Sequence, residues 1–434
     1  MFKKSIHITV IFAISTLLQL INNIAVTRIF GANFDLDVFL AAVSIPAILV
    51  TVIYGTLNDA FLPLYGEMKI KNNKKADNYF VYSLFFLVIF SLIILFIFFL
   101  FSKPISALFY QNRGEEFVKN TAKQLSVMMF GIVPSVVATL FGAYYYFHKR
   151  FSRFPFAQLM GSVFNLLFII IFYKALGVWS LVISFVLNII FQIFFIIPQI
   201  RFNNFKIKNL LKIENCKLII GLLGSWFPLI LGNFALRSDI LLIRSFGSQL
   251  PTGYLVYLNL ITKIFSLAAG VITIGIQIVL LPHLVEEIAN KNYQLVIIKV
   301  KKSKLGALFI SFLIGLLLLM YSPPIIKLLF VGGKFTLQDF NTAISLLSLF
   351  FLYGVGWGMV NIFFQPLLAL KKTWVVSIIN LFSLIPGWGT AFIINRSSPL
   401  GAISWGLTVL LFSNIVMAEI AWQYFKFRFQ KISK

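Results

Sequence analysis

Long apolar stretches return along the whole chain, at about 7–29, 38–64, 79–101, 123–147, 154–173, 177–200, 218–245, 254–285, 304–321, 341–369, 373–394 and 400–425. Each is close to or beyond the roughly 20 residues an α-helix needs to cross a bilayer's hydrocarbon. Lipid offers no partner to an open backbone N–H or C=O, so stretches of this kind must close their hydrogen bonds within themselves as helices. The fold class that follows is all-α, a polytopic membrane protein of about twelve transmembrane helices. The first stretch is too long, and too like its successors, to read as a cleaved signal peptide.

Charge is scarce, 12% of residues against about 25% in a soluble domain, so its placement carries information. Of the 37 Lys and Arg, 25 fall at the two termini and in alternate loops, and eight in the opposite loops. The remaining four, Arg28, Arg237, Arg244 and Lys263, lie within spans or at their ends. Positively charged loops stay on the cytoplasmic side. The asymmetry therefore predicts an inner-membrane protein with both termini in the cytoplasm, which requires an even number of spans. The net charge of +24 is then a topology signal and a contact with membrane lipids, and nucleic acid is not an expected partner. The one cysteine, Cys216, excludes an internal disulfide. His7, His148 and His283 are scattered without ligand spacing, so no metal is expected. With no Gly-rich phosphate loop and no nucleophile–base set, the sequence predicts no cofactor, no catalytic residues and no enzyme.

The chain also repeats itself. Arg28-Ile29-Phe30-Gly31 returns as Arg244-Ser245-Phe246-Gly247, Leu62-Pro63 as Leu281-Pro282, and Ser102-Lys103-Pro104 as Ser322-Pro323-Pro324, in a nearly constant register. Six spans fall in each half, and both halves begin on the same side. They are parallel repeats about an axis along the membrane normal. The layout expected is two six-helix lobes, 1–200 and 218–434, around a central cavity, joined by a basic cytoplasmic linker at 201–217.

Several segments carry a family resemblance. Thr27-Arg28-Ile29-Phe30-Gly31-Ala32, then Asp37, Pro46 and Asp59-Ala60-Phe61-Leu62-Pro63, resemble the opening of the lipid II flippase (MurJ/MviN) family. So do Leu140-Phe141-Gly142-Ala143, Arg150-Phe151, Pro155-Phe156-Ala157, Asn165, and Gly333-Lys334-Phe335-Thr336 with Asp339. That family belongs to a superfamily with multidrug antiporters and O-antigen flippases. The resemblance implies alternating access and a polyprenyl-pyrophosphate-linked saccharide as substrate, its headgroup crossing inside the protein. It also implies arginines in the first two spans to hold the pyrophosphate. The matching positions here are Thr16 and Asn22, and Leu49 or Val50. The basic residue of the eighth span survives as Lys263, and the family's last two of fourteen spans find no counterpart.

Ionisable groups inside spans are costly and default to function. Lys263 and Arg237 are the candidates for pyrophosphate. Asn22, Asn165, Asn233, Gln277 and Asn361 are candidates for sugar hydroxyls, because an amide both donates and accepts; interhelical hydrogen bonding is the competing role. Asp59, Asp239 and Glu419 are candidates for ion coupling. Arg28 and Arg244 are expected to snorkel to the outer headgroups, and Asp37 to cap the second span. A flippase for O-antigen or capsular repeat units, or a multidrug antiporter of the same superfamily, is the alternative. A drug cation favours acidic linings, whereas the charges inside these spans lean basic. A monomer is expected, with proteins of envelope synthesis as candidate partners.

Overall fold

The computed structural model describes the backbone of residues 2–71, 73–197 and 213–432. Within these, the side chains of 2–10, 12, 13, 70, 71, 73–75, 213–218, 270–279, 282, 289 and 428–432 lie outside the description. The chain divides into two compact units, Met1–Ile230 and Leu231–Lys434. The first holds α1 (Phe2–Phe30), α2 (Phe34–Lys71), α3 (Asn73–Tyr110), α4 (Glu115–Met128), α5 (Ile132–Phe147), α6 (Arg153–Leu176), α7 (Trp179–Ile196) and the start of α8 (Ile213–Leu236). The second continues through α9 (Asp239–Gly247), α10 (Tyr254–Ala289), α11 (Tyr293–Phe330), α12 (Leu337–Ser345), α13 (Phe351–Ala369), α14 (Thr373–Asn395) and α15 (Pro399–Ile432). Residues 201–212 of the basic linker lie outside the described residues.

Ten helices among the described residues are long and apolar enough to cross a membrane, and Ile14–Phe30 and Tyr254–Ala269 are shorter apolar helices. Together they match the twelve stretches read from the sequence one for one. The repeat is visible in the helix starts. Those at 34, 73, 153 and 179 return at 254, 293, 373 and 399, all at one and the same offset. In both units the fourth span is interrupted by a short 3-10 turn, Met129–Gly131 between α4 and α5 and Leu347–Phe350 between α12 and α13. Large apolar side chains are turned outward, as lipid requires. Phe96, Phe99 and Leu100 on α3 and Phe382, Ile385 and Phe392 on α14 are exposed.

Close helix contacts rest on small residues, as expected where lipid is as apolar as the helices themselves. A methyl group on Gly406 of α15 would stand 2.8 Å from Cβ of Ala391 and 3.2 Å from the carbonyl of Gly387, both on α14. One on Gly354 of α13 would run into the ring of Phe265 on α10, whose side chain is fully buried. Gly354→Ala is therefore expected to lower unfolding stability by about 1–3 kcal/mol through overpacking. Thermal unfolding in lipid nanodiscs checks this, and an unchanged midpoint would show that Phe265 has room to retreat.

Helix ends differ by connection. Lys149, Lys291 and Lys371 adopt positive φ, 59°, 59° and 57°. Each ends its helix in the same way. Lys149 N–H donates to Tyr146 and Arg150 N–H to Tyr145; Lys291 to Ile288 and Asn292 to Glu287; Lys371 to Leu368 and Lys372 to Leu367. This is the Schellman arrangement, which satisfies the last carbonyls of a helix and normally places Gly at the left-handed position. A side chain there costs about 1 kcal/mol. The positive-φ glycines, Gly31, Gly114, Gly177, Gly253, Gly332 and Gly333, all lie in the connections that follow odd-numbered spans. The three lysines all follow even-numbered spans, the fourth, eighth and tenth.

The start of the second span corrects one expectation. Its cap is Asn33, whose Oδ1 accepts from Leu36 N–H at 2.9 Å. Asp37 lies inside the first turn, wholly buried, and accepts from Arg113 Nη2 at 2.8 Å. Arg113 also lies over the Phe117 ring, 5.3 Å from its centre. In the second unit the equivalent place, at the offset of the helix starts, is Tyr257. Its hydroxyl donates to Asp339 Oδ1 at 2.6 Å, while Asp339 and Thr336 form a capping box that starts α12. The Gly333-Lys334-Phe335-Thr336 segment thus builds a tight turn, bridged between Gly332 and Phe335, that leads into this cap.

Candidate functional site

In the second unit the basic residues gather along α10. Arg244, near the end of α9, is 5% exposed. Its Nη1 donates to the carbonyl of Leu255 at 2.9 Å and its Nη2 to Oδ1 of Asn259 at 2.6 Å. This corrects the expectation that Arg244 snorkels outward. Breaking these two charge-assisted bonds would cost more than the headgroups return. Lys263 stands one turn beyond Asn259 on the same face of α10, half-buried and about 14 Å along the helix from its start. A guanidinium, an amide and an ammonium thus follow one another down α10, deep in a span where uncompensated charge is expensive.

A second row runs down α13, at Tyr353, Trp357, Asn361 and Gln365, each four residues after the last. Arg237, just beyond α8, lies over the Trp357 ring, 5.3 Å from its centre. Asp239 is buried, accepting from Tyr353 hydroxyl at 3.1 Å and from Ile240 N–H at 2.8 Å. Asn361 accepts from Gln365 Nε2 at its backbone carbonyl. Asn233 accepts from Arg237 N–H in the same way. Helix α10 packs against α13, with Phe265 lying on Gly354, so the two rows stand on neighbouring helices of this unit. Glu419 lies elsewhere. Its Oε2 accepts from Lys304 Nζ and its Oε1 from Gln423 Nε2, both at 2.5 Å. The Lys304 ammonium also faces the rings of Phe363 and Trp422 at 4.8 and 5.5 Å.

In the first unit, Asn165 on α6 donates to Ser184 Oγ on α7 at 3.1 Å, tying two spans together. Asn22 is half-buried on α1. Asp59 is exposed, in a row with Thr51, Gly55, Pro63 and Glu67 at four-residue spacing, while the other faces of α2 are largely buried. The exposed row of α14, by contrast, is Trp374, Ile378, Phe382 and Ile385. A row of small and acidic residues is suited to water and not to acyl chains. Beside it, Tyr54 donates to Gln192 Oε1 at 3.1 Å and Gln192 Nε2 to Asn188 Oδ1 at 2.9 Å. Trp226 Nε1 donates to Thr56 Oγ1 at 2.8 Å. The sequence reading missed Tyr54, Gln192 and Asn188. The only signal was polar residues recurring in otherwise apolar spans. The Gln277 side chain lies outside the described residues.

The chain resembles known proteins in sequence and in fold. Among curated proteins, a probable lipid II flippase MurJ of Borreliella burgdorferi is 25% identical over 83% of this chain and 72% of its own. One of Buchnera aphidicola subsp. Acyrthosiphon pisum is 24% identical over 88% and 76%. Among solved structures, lipid II flippase MurJ in an inward closed conformation superposes with a TM-score of 0.82 at 18% identity, over 96% of this chain and 87% of that one. An inward-facing MATE-family multidrug resistance transporter superposes with a TM-score of 0.77 at 17% identity, over 96% and 95%. These two likenesses establish the fold, an all-α multi-pass architecture. The family described as lipid II flippase MurJ matches residues 26–434, nearly the whole sequence, and this chain belongs to that family.

Proposed function

We propose that this protein is a lipid II flippase of the bacterial inner membrane. It carries a polyprenyl-pyrophosphate-linked saccharide from the cytoplasmic to the outer leaflet by alternating access, with both termini in the cytoplasm. The observation that carries the reading is the family match over residues 26–434. A pyrophosphate and sugars cannot enter hydrocarbon without losing several kcal/mol for each polar group left unpaired. A path lined by fixed cations and amides removes that barrier. Movement of the anion outward is favoured by an inside-negative potential, by about 2.3 kcal/mol per charge per 100 mV.

In this reading Lys263 meets the pyrophosphate, held in a basic row by Arg244 and Asn259. Arg237 stands on Trp357 as a second cation within the same unit. The amides of Asn22, Asn233 and Asn361 serve the sugars, and Asp59, on the open row of α2, is the ion-coupling candidate. Asn165, Asp239 and Glu419 carry structural bonds of their own, which favours a positioning role for each.

The test is rescue of a bacterium depleted of its own lipid II flippase. Growth restored by the wild-type chain is expected. Lysis despite normal membrane levels would sink the lipid II assignment and turn attention to O-antigen or capsular precursors.

A further inference from the structure

Gly55 lies well inside the second span, is exposed, and has nothing within 4 Å of where a Cβ would stand. Glycine inside a helix costs stability against alanine, so it usually marks the close approach of a neighbour. Gly161 and Gly354 show this, each pressed by side chains of another helix. At Gly55 no protein atom takes that place.

The residues on either side of Gly55 define the walls. Tyr54 donates to Gln192 Oε1 of α7, and Thr56 Oγ1 accepts from Trp226 Nε1 of α8. Successive helical residues point about 100° apart, so α7 and α8 stand on opposite sides of this row of α2, and Gly55 is the floor between them. All of these residues belong to one compact unit. The α7 wall is built. Gln192 donates onward to Asn188 Oδ1 at 2.9 Å, and Gly161 of α6 leaves the room that the Asn188 and Gln192 side chains fill. Phe154 stands edge-on to the Tyr54 ring, their centres 5.6 Å apart. Asn58, one turn on from Tyr54, lies on the helix face between Tyr54 and Gly55. It is 9% exposed, and its Oδ1 has no hydrogen-bond partner among the described residues. A buried acceptor left open costs free energy, and a ligand in the groove would remove that cost.

The chemistry of the lining selects the ligand. An acyl chain would leave the amides and the Asp59 carboxylate unpaired, at several kcal/mol each. No group of three His, Cys, Asp or Glu side chains that could hold a metal stands among the described residues. Amides and hydroxyls donate and accept at once, which is what the hydroxyls of a sugar require. We propose that this groove is a sugar subsite. The saccharide of the transported lipid lies over Gly55, its hydroxyls paired by Thr51, Asn58 and Asn188, while Gln192 positions Asn188 and Tyr54. The subsite deepens the lipid II reading and rests on it.

The experiment titrates the full chain in nanodiscs with lipid II and with the same polyprenyl pyrophosphate bearing no sugar. Wild type is expected to bind lipid II the more tightly. Gly55→Leu fills the floor and should lower lipid II affinity by about ten- to hundredfold. Asn58→Leu removes the amide and should lower it by up to about tenfold. Both should leave affinity for the sugar-free lipid unchanged. Without ligand, both should unfold at the wild-type temperature or above, since one replaces a helical glycine in open space and the other an unpaired buried amide. Unchanged lipid II binding in both variants would overturn the proposal. Equal loss of both lipids would also overturn it and assign the groove to the pyrophosphate, and a lowered unfolding temperature would assign it to packing. Should Gly55→Leu fail to insert, Asn58→Leu gives the same readout. Wild type that binds the two lipids equally overturns the sugar subsite alone, whereas wild type that binds neither sinks the lipid II reading with it.

Discussion

Lys263→Ala abolishes rescue of a flippase-depleted strain, while Lys263→Arg retains much of it. The expectation follows from where the ammonium sits, on α10 one turn from an amide that already serves Arg244. Truncating one partner of a buried charge pair costs about 2–5 kcal/mol, roughly thirty- to several thousand-fold in affinity for the anionic headgroup. Arginine keeps the charge and adds a bidentate grip on phosphate. Lys302→Ala, an exposed lysine on α11, is the control and should rescue fully. The measurement is growth at matched membrane levels, together with lipid II binding by the purified protein. Full rescue by Lys263→Ala, with unchanged binding, would remove the lysine from the transport path.

Arg113→Met produces the largest loss of stability. It strands the Asp37 carboxylate, which is wholly buried between α2 and the start of α4. Breaking a buried pair by removing one member costs about 3–5 kcal/mol, because the other charge is left uncompensated. Replacing both members, as Arg113→Met with Asp37→Leu, should recover most of the loss, since a well-packed apolar pair needs no compensation. Thermal unfolding of the single and double variants in nanodiscs checks this. A double variant no better than the single one would show that Arg113 acts mainly through its contact with Phe117.

Spans, charge asymmetry and repeats were legible because each depends on the bilayer, which imposes a fixed length and a side on every segment. The place of Lys263 within a span was legible for the same reason. Partnerships were not. Arg113 and Asp37 are separated by 76 residues, Lys304 and Glu419 by 115, and Tyr54 and Gln192 by 138. No local pattern encodes such pairs, because they depend on how helices rotate about their axes. Arg244 shows the same limit. At the end of a span, a guanidinium reads as a headgroup anchor. Only the approach of α10, which brings the Leu255 carbonyl and Asn259 within reach, turns it inward. Asp37 read as a cap because it precedes a hydrophobic run. Asn33, four residues earlier, had already taken that place.

The constant offset of four helix starts makes residues 34–179 and 254–399 equal in length. Residues 73–110 and 293–330 have the same extent, and each carries a proline at the same place, Pro104 and Pro324, the second preceded by Pro323. A chimera that swaps one for the other leaves every connection unaltered in length. What it alters is the set of contacts, since the first half ties the start of its second span with a guanidinium and a carboxylate and the second half ties the equivalent place with a phenol and a carboxylate. Such exchanges separate the geometry that duplication preserved from the chemistry that each copy acquired afterwards.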